Sequence, residues 1–296
     1  MTAIVSDARS PHCSVIIATW NTRGLVEEAL SSLFQHNPAD SMEVIVVDNG
    51  STDGTAEMIR EKFPLVVLLC EAMNTGYAPA NNRGIRMATG RHVLLLGSDT
   101  VVRNDTLSVL AGYLDAHPDV SAVACRLMNP DGTPQMSCRR FPRLRDAIAT
   151  YLSWHRLTGW YTMKGFDFYK TQEVEQPAAT CLMVRRTTLA RLGGFDKRFT
   201  ILYNDVDLCR RLRKDGGKIV YNAETEVLHH GSSTTRSAPP AVRLEMYRNI
   251  LRYFSRYHGA LARWVLTPIL MVRYLAATRS LAAFRLISMK TEGWPG

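Results

Sequence analysis

Glu43-Val-Ile-Val-Val-Asp48-Asn-Gly-Ser-Thr-Asp-Gly54 sets an apolar, β-branched run directly before a cluster of turn-forming residues, and Ala56-Glu-Met-Ile-Arg-Glu-Lys-Phe63 follows at helical spacing. This reads as strand, turn, helix. The unit recurs on both sides. Upstream, Ser14-Val-Ile-Ile-Ala-Thr19 is a short buried-strand pattern, and Leu25, Ala29, Leu30, Leu33 and Phe34 after it repeat as one face of a helix. Downstream, Val66-Val-Leu-Leu69 precedes a helical stretch from Ala80 to Ala88, and His92-Val-Leu-Leu-Leu96 closes a fourth unit. Strands alternating with helices predict an α/β fold built on a mostly parallel sheet covered on both faces.

Ligands of such sheets sit outside the carboxyl ends of the strands. The segments predicted there are polar: Thr19-Trp-Asn-Thr22, Asp48-Asn-Gly-Ser-Thr-Asp-Gly54, Asn74-Thr-Gly-Tyr77 and Gly97-Ser-Asp-Thr100. A nucleotide diphosphate needs a stacking surface and hydrogen bonds for its base, and a cation for its pyrophosphate. Trp20 offers a ring face, and Asp48 offers a carboxylate to a base N–H or a ribose hydroxyl; a core-edge aromatic and a helix-capping Asp are the alternatives. Asp99 places a hard oxygen ligand at a strand end, where a divalent cation would bridge it to phosphate.

Further on, Asp205 and Asp207 head the helical run Val206 to Lys214, where both acids also suit the positive end of a helix; for Asp207 that is the preferred reading. His229 and His230 follow an apolar run and precede Gly-Ser-Ser. A neutral imidazole there can ligate a metal or remain solvated. Arg185 and Arg186 close the strand-like Pro177-Ala-Ala-Thr-Cys-Leu-Met-Val-Arg-Arg186, either supporting the site and its acceptor or forming a structural ion pair. Between Asp131 and Lys170 lies a less regular stretch rich in aromatic and basic residues, which reads as a substrate-facing insertion.

Taken in order and spacing, Ser14-Val-Ile-Ile-Ala-Thr-Trp-Asn21, Val46-Val-Asp-Asn-Gly-Ser-Thr-Asp-Gly-Thr55, Asn74-Thr-Gly-Tyr-Ala-Pro-Ala-Asn-Asn-Arg-Gly84 and Leu94-Leu-Leu-Gly-Ser-Asp-Thr100 resemble a family 2 glycosyltransferase of the GT-A fold. Gly194-Phe-Asp196, Tyr203-Asn-Asp-Val-Asp-Leu-Cys-Arg-Arg-Leu212 and Val227-Leu-His-His-Gly-Ser-Ser233 extend the resemblance, most closely to a rhamnosyltransferase-like branch. The match runs from about Cys13 to about Ser233.

The resemblance implies a Rossmann-like GT-A sheet and inverting, metal-dependent transfer of a hexose from a nucleotide diphosphate donor. It implies dTDP-rhamnose ahead of UDP-linked hexoses, with a glycan or lipid-linked acceptor in cell-surface polysaccharide synthesis. The nucleotide-sugar site would comprise Ala18, Thr19, Trp20, Asn21, Asp48, Asn49, Asn74, Gly76, Tyr77, Asn82, Arg83, Ser98 and Asp99. Asp205 matches the catalytic base. Asp99 and His229 match the ligands of Mg²⁺ or Mn²⁺, with His230 or Ser232 nearby, and either imidazole could face inward. The chain departs from the family twice. Gly97 stands where a first acid or Asn is usual, which implies a weaker hold on the metal or one shared with water. Asn204 stands where Glu usually precedes the base, a change that touches acceptor recognition more than proton transfer. A catalytically weak scaffold protein of the same fold is the alternative.

The formal charge of +9 is local: from Arg236 onward ten Lys or Arg face two Glu, a net +8. The chain is therefore expected to divide into a catalytic domain, residues 1–235, and a basic helical extension, residues 236–296. In the extension Arg248, Arg252 and Arg256 repeat at i, i+4, while the longest charge-free apolar run, Trp264 to Val272, has nine residues, too short to span a bilayer. A basic amphipathic helix suits an anionic membrane surface. Packing on the catalytic domain or a homo-oligomer contact is the alternative.

The six cysteines are scattered without a C-x-x-C pair, and residues 1–12 lack an apolar signal region, so a reducing, cytoplasmic setting at the inner membrane face is expected. No nucleic-acid recognition motif accompanies the basic tail. A nucleotidyltransferase would need a Gly-rich phosphate loop, a dinucleotide oxidoreductase a G-x-G-x-x-G after the first strand, and a processive synthase spanning helices.

Overall fold

Odd and even residues of the first strand part to opposite sides of one sheet: Val15 and Ile17 join one core, and Ile16 joins the other. The computed structural model describes residues 12–38, 41–103, 105–154, 157–231, 239–278 and 282. Residues 1–11, on which the absence of a leader was argued, Ser232, and the expected 235/236 boundary lie outside them.

The first half alternates as the sequence pattern requires: β1 (Cys13–Thr19), α1 (Arg23–His36), β2 (Met42–Asp48), α2 (Thr55–Lys62), β3 (Val67–Cys70), α3 (Tyr77–Met87) and β4 (His92–Gly97). There follow β5 (Thr100–Val102), α4 (Thr106–Ala116) and β6 (Val120–Met128). The insertion contributes β7 (Cys138–Arg139), α5 (Leu144–Tyr151), β8 (Gln172–Glu173) and β9 (Gln176–Pro177). The chain then runs through β10 (Cys181–Arg185), α6 (Arg186–Leu192), α7 (Asn204–Lys214), β11 (Lys218–His229) and α8 (Pro240–Thr278).

The main sheet has the order β3-β2-β1-β4-β10-β6-β11-β5, with β8 also on β11. Neighbours from β3 to β4 are parallel, as are β6 and β11, whereas β10 runs antiparallel to both its neighbours and β5 antiparallel to β11. The sheet is thus mixed, and its parallel part is the half legible from the repeated strand-helix units. On one face Val15, Ile17, Val46, Leu94, Leu96 and Met183 pack against Leu30 and Leu33 of α1, Met58 of α2 and Leu110 of α4. On the other, Ile16, Ile45, Val93, Leu95 and Leu182 meet Ala78 of α3, Leu189 of α6 and Leu208 and Leu212 of α7. Each such fully buried aliphatic side chain contributes about 1.5–3 kcal/mol of transfer free energy.

α8 breaks at Gly259, where the backbone leaves helical geometry. Its Ile250, Leu251, Phe254, Leu266, Leu270 and Tyr274 share a third core with Ala147 of α5, Phe199 and Val206, so the C-terminal helix packs directly on the segment that carries Asp205. This corrects the reading of its arginines as a free basic face. Arg248 and Arg252 pair with Glu245, and Arg256 pairs with Asp196 and Asp207. Beyond the break α8 exposes the large apolar side chains Leu261, Trp264, Val265 and Val272, at i, i+3, i+4 and i+11, with Arg273 exposed beside the last of them. By length, and by a mean hydropathy of 1.3 over 18 residues, α8 qualifies as a membrane span, contrary to the nine-residue argument. Its Ala262, Leu266, Leu270 and Tyr274 stripe is nonetheless buried within the protein.

Candidate active site

The parallel register brings three strand ends to one edge. Thr19 lies opposite Asp48, and Ala18 lies opposite Gly97. The loops after β1, β2 and β4 consequently share one rim, and a cavity of about 530 Å³ opens over it. Ala18, Thr19, Trp20, Asn49, Asn74, Gly76, Tyr77, Ser98, Asp99, Asn204, Asp205 and His229 all line this cavity. These residues lie up to 211 positions apart in the chain, and the fold converges them.

Asn49 fastens two of the loops. Its Nδ2 donates to Asn74 Oδ1 at 2.8 Å, and its Oδ1 accepts from the Thr75 N–H at 2.9 Å. The Gly76 backbone has φ 92°, and a Cβ there would stand 3.0 Å from the Thr200 carbonyl, which accepts the Tyr77 N–H at 2.9 Å. Glycine is therefore required where this loop closes against Thr200. Trp20 is 45% exposed, so its ring is a rim surface and not a core-edge aromatic.

Asp99 and His229 meet because β5 pairs antiparallel with β11: Thr100 lies opposite His229, and the His230 N–H donates to the Asp99 carbonyl at 3.0 Å. His229 Nε2 is 3.3 Å from Asp99 Oδ2, while His230 turns outward to Glu28, 3.0 Å away. The inward imidazole is thus His229. Its other nitrogen, Nδ1, lies 2.7 Å from Gln135 Oε1, and Gln135 Nε2 donates to the His229 carbonyl at 2.9 Å. This amide orientation makes Nδ1 a donor to Gln135 and leaves Nε2 facing the Asp99 carboxylate. Two ligands at about 2.1 Å and a right angle around one divalent cation stand about 3.0 Å apart, so the pair fits Mn²⁺ or Mg²⁺.

A Cβ at Gly97 would stand 3.0 Å from Asp99 Oδ1 and 3.3 Å from the Cγ2 atoms of Thr100 and Thr180. The missing first acid of the motif therefore has a steric counterpart: Thr180 and the Asp99 carboxylate occupy the space that a side chain there would need.

Asp205 lies in the first turn of α7, after Tyr203 in a left-handed conformation, φ 64°. Its Oδ1 accepts from the Val206 N–H at 2.8 Å. Burial pushes its carboxyl above the ordinary carboxylate range, against the opposing pull of that N–H and of the Arg139 charge. Burial, and then the charges of Asp205 and Asp99, raise the Tyr77 phenol, and all three residues line the cavity. Asp207 belongs to structure: it is fully buried, with Arg211 Nε at 2.7 Å and the Tyr257 hydroxyl donating to it at 2.7 Å.

Several expected site residues do not line the cavity. Asn21 clips two loops together, accepting the Thr52 N–H at 2.8 Å. Asp48 is buried beside the rim, with Oδ1 accepting the Ser51 N–H at 3.1 Å. Asn82 is committed to Phe195, whose N–H and C=O it binds at 2.8 and 2.7 Å. Arg83 pairs with Glu71. Arg185 is at the wrong edge of the sheet: it lies opposite His92, about 17 Å along β4 from Gly97, and binds the Val120 and His117 carbonyls at 2.9 and 3.0 Å. Conversely Thr22, Ala178, Ala179, Thr180, Thr200, Ile201, Pro239 and Val242 also line the cavity, none of them expected from the sequence. These are small or apolar residues whose types carry no chemical signal.

Residues 14–189 match Glycosyl transferase family 2, and the chain belongs to that family. It is 30% identical over 288 residues to the N-acetylglucosaminyl-diphospho-decaprenol L-rhamnosyltransferase of Mycobacterium tuberculosis, covering 90% of this chain and 92% of that one. It is 28% identical to the O-antigen biosynthesis protein RfbC of Myxococcus xanthus over 77% of this chain and 18% of that protein. Among solved structures, a mannosyltransferase from Pyrobaculum calidifontis in complex with GDP-Man and Mn²⁺ superposes with a TM-score of 0.57 at 24% identity, covering 95% of this chain and 79% of that one. TarS of S. aureus in complex with UDP-GlcNAc gives 0.56 at 20% identity, covering 93% and 75%. The chain is a rhamnosyltransferase-like member of the family, and these structures establish its GT-A fold.

Proposed function

We propose that this chain is an inverting, divalent-cation-dependent glycosyltransferase that moves rhamnose from dTDP-rhamnose to a lipid-linked sugar acceptor in cell-surface polysaccharide synthesis. The observation that carries this reading is the convergence of Asp205, Asp99 and His229 on one cavity with the loops of Thr19, Asn49 and Gly76. The name of the M. tuberculosis relative supports both the donor sugar and the acceptor class.

In this reading the nucleoside rests against Thr19 and Trp20, Asn49 and Asn74 hold the loop that borders it, and Asp48 fixes the turn at Ser51 beside them. Asp99 and His229 would hold Mg²⁺ or Mn²⁺ at this edge of the cavity. A cation bound there neutralises the charge that develops as the diphosphate departs. Asp205 receives the proton of the acceptor hydroxyl while that oxygen forms a bond to the anomeric carbon. The bond from that carbon to the diphosphate oxygen breaks from the opposite face, and its electron pair leaves with the nucleoside diphosphate. Asn204, on the same cavity wall, orients the acceptor.

The exposed stripe of Leu261, Trp264, Val265 and Val272 rests at the membrane interface in this reading, its aromatic residue at headgroup level. The protein then lies on the bilayer that holds its acceptor.

A thermal-shift screen of nucleotide diphosphates and their sugars, with and without Mn²⁺ or Mg²⁺, tests the reading. A ligand at 100 times its Kd adds about 2.7 kcal/mol of stability. A cation-dependent shift that is largest with dTDP compounds is expected, and no shift with any nucleotide diphosphate would overturn the assignment.

A further inference from the structure

Four arginines fall within seven residues, Arg139, Arg140, Arg143 and Arg145, and carboxylates do not account for them. Arg140 reaches Glu175 and Arg145 reaches Asp146 only at 4.0 Å. Among the described residues, no carboxylate lies within 4.0 Å of the Arg139 or Arg143 guanidinium. Aromatic rings hold the cluster instead. Arg143, Arg140 and Arg145 stand 3.4, 5.0 and 5.9 Å from the centre of the Trp160 ring, and Arg139 stands 6.0 Å from that of Tyr161. A guanidinium stacked on a ring keeps its N–H edge for a bidentate anion, and phosphate geometry matches that edge.

The position of the cluster limits what that anion is. Arg139 lies opposite Gln176 in the β7–β9 ribbon, and Ala178 and Ala179, just beyond β9, line the cavity. The ribbon thus leads from the wall bearing Asp205 outward to the arginines. From Arg143, α5 runs for eight residues, about 12 Å. Just past its end the side chains of Leu152, Trp154 and Leu157 are exposed, the last by 66%. Arg273 of α8 donates to the Tyr151 carbonyl at 2.8 Å, joining this rim to the exposed apolar stripe of Trp264. In sequence along the surface come a general base, a cationic cluster and an apolar rim.

We infer that Arg139, Arg140 and Arg143 bind the diphosphate of an isoprenoid-diphosphate acceptor, whose hydrocarbon chain follows α5 to Leu152, Trp154 and Leu157. This rests on the reading of Asp205 as the base that receives the acceptor hydroxyl. The donor diphosphate belongs to Asp99 and His229 at the β4–β5 edge, so the two diphosphates occupy different walls.

Farnesyl diphosphate is the probe. Its binding to the full chain is measured by tryptophan fluorescence and calorimetry in EDTA, which removes cation-bridged binding at Asp99. The expected result is saturable binding whose Kd rises at least tenfold in Arg140→Ala/Arg143→Ala, with a smaller rise in the double Lys variant that keeps charge but loses the fork. Trp154→Ala/Leu157→Ala weakens binding of farnesyl diphosphate and leaves that of inorganic pyrophosphate unchanged. An unchanged Kd for farnesyl diphosphate in a double arginine variant that melts like wild type overturns the proposal. So does loss in that variant of binding to phosphatidylglycerol vesicles but not to farnesyl diphosphate, which makes the cluster a general lipid anchor. Binding of dTDP with Mn²⁺ reports separately on the donor reading: its absence beside arginine-dependent farnesyl diphosphate binding would sink that reading and leave this site standing.

Discussion

Gln135 holds His229 by two bonds at once, donating from Nε2 to its carbonyl at 2.9 Å and facing its ring Nδ1 with Oε1 at 2.7 Å. One amide therefore sets both the position and the tautomer of the ring, and presents Nε2 to Asp99 at 3.3 Å. Outer partners of a metal-binding imidazole typically change affinity by about 10–100-fold when removed. Gln135→Ala is expected to raise the Mn²⁺ concentration for half-maximal transfer by that factor. Asp99→Ala and His229→Ala are expected to abolish the cation dependence. A Mn²⁺ titration of turnover in each variant reads both.

Asp205 carries a carboxyl raised by burial, and this has consequences of opposite sign for activity and stability. In the proposed base role Asp205 acts deprotonated, so kcat/KM is expected to fall as pH drops through a value above the ordinary carboxylate range. A group whose folded-state pKa is raised favours folding fully below its unfolded pKa, and that contribution is lost as pH rises through the folded value. At neutral pH the charged carboxylate is then a burden on the fold. Asp205→Asn is expected to lower kcat by about 10²–10⁴-fold, keep donor binding, and raise Tm. A lower Tm with retained turnover would remove Asp205 from the base role.

Gly97 is one of two places where the chain departs from the motif it resembles, and the space around it predicts what restoring a side chain does: a Cβ at this position would stand 3.0 Å from Asp99 Oδ1. Gly97→Ala is expected to displace the Asp99 carboxylate and weaken cation binding. Thr180→Ser removes one of the two methyl groups that crowd the position, so the double variant should recover part of the loss. Calorimetric Mn²⁺ affinity of the single and double variants distinguishes this from a neutral glycine.

The repeated strand-helix units made the parallel half of the sheet legible, because Val15, Ile17, Val46 and Leu94 belong to strands buried on both faces, which read as continuous apolar runs. The antiparallel placement of β10 between β4 and β6 was not legible, since an apolar run carries no direction. The loop residues of the site were readable where strand ends positioned them. Asn82, Arg83 and Arg185 were misplaced because a polar side chain in a motif does not reveal whether it faces a ligand or, as with Asn82 and Phe195, a neighbouring turn. Gln135 was invisible for the converse reason: it acts only through His229, 94 residues away.

The two faces of α8 should respond to substitution in opposite ways. Leu266 is fully buried in the core shared with Phe199 and Val206, next to the first turn of α7. Leu266→Ala is expected to cost about 2–5 kcal/mol, and removal of the whole helix to unfold the wall that holds Asp205. Trp264 and Val272, exposed by 74% and 66%, contribute little to that core. Trp264→Glu with Val272→Glu is expected to leave stability within about 0.5 kcal/mol per site while reducing co-sedimentation with anionic vesicles. Urea unfolding beside vesicle binding separates the faces, and unchanged partitioning in the double Glu variant would take the bilayer away from this stripe.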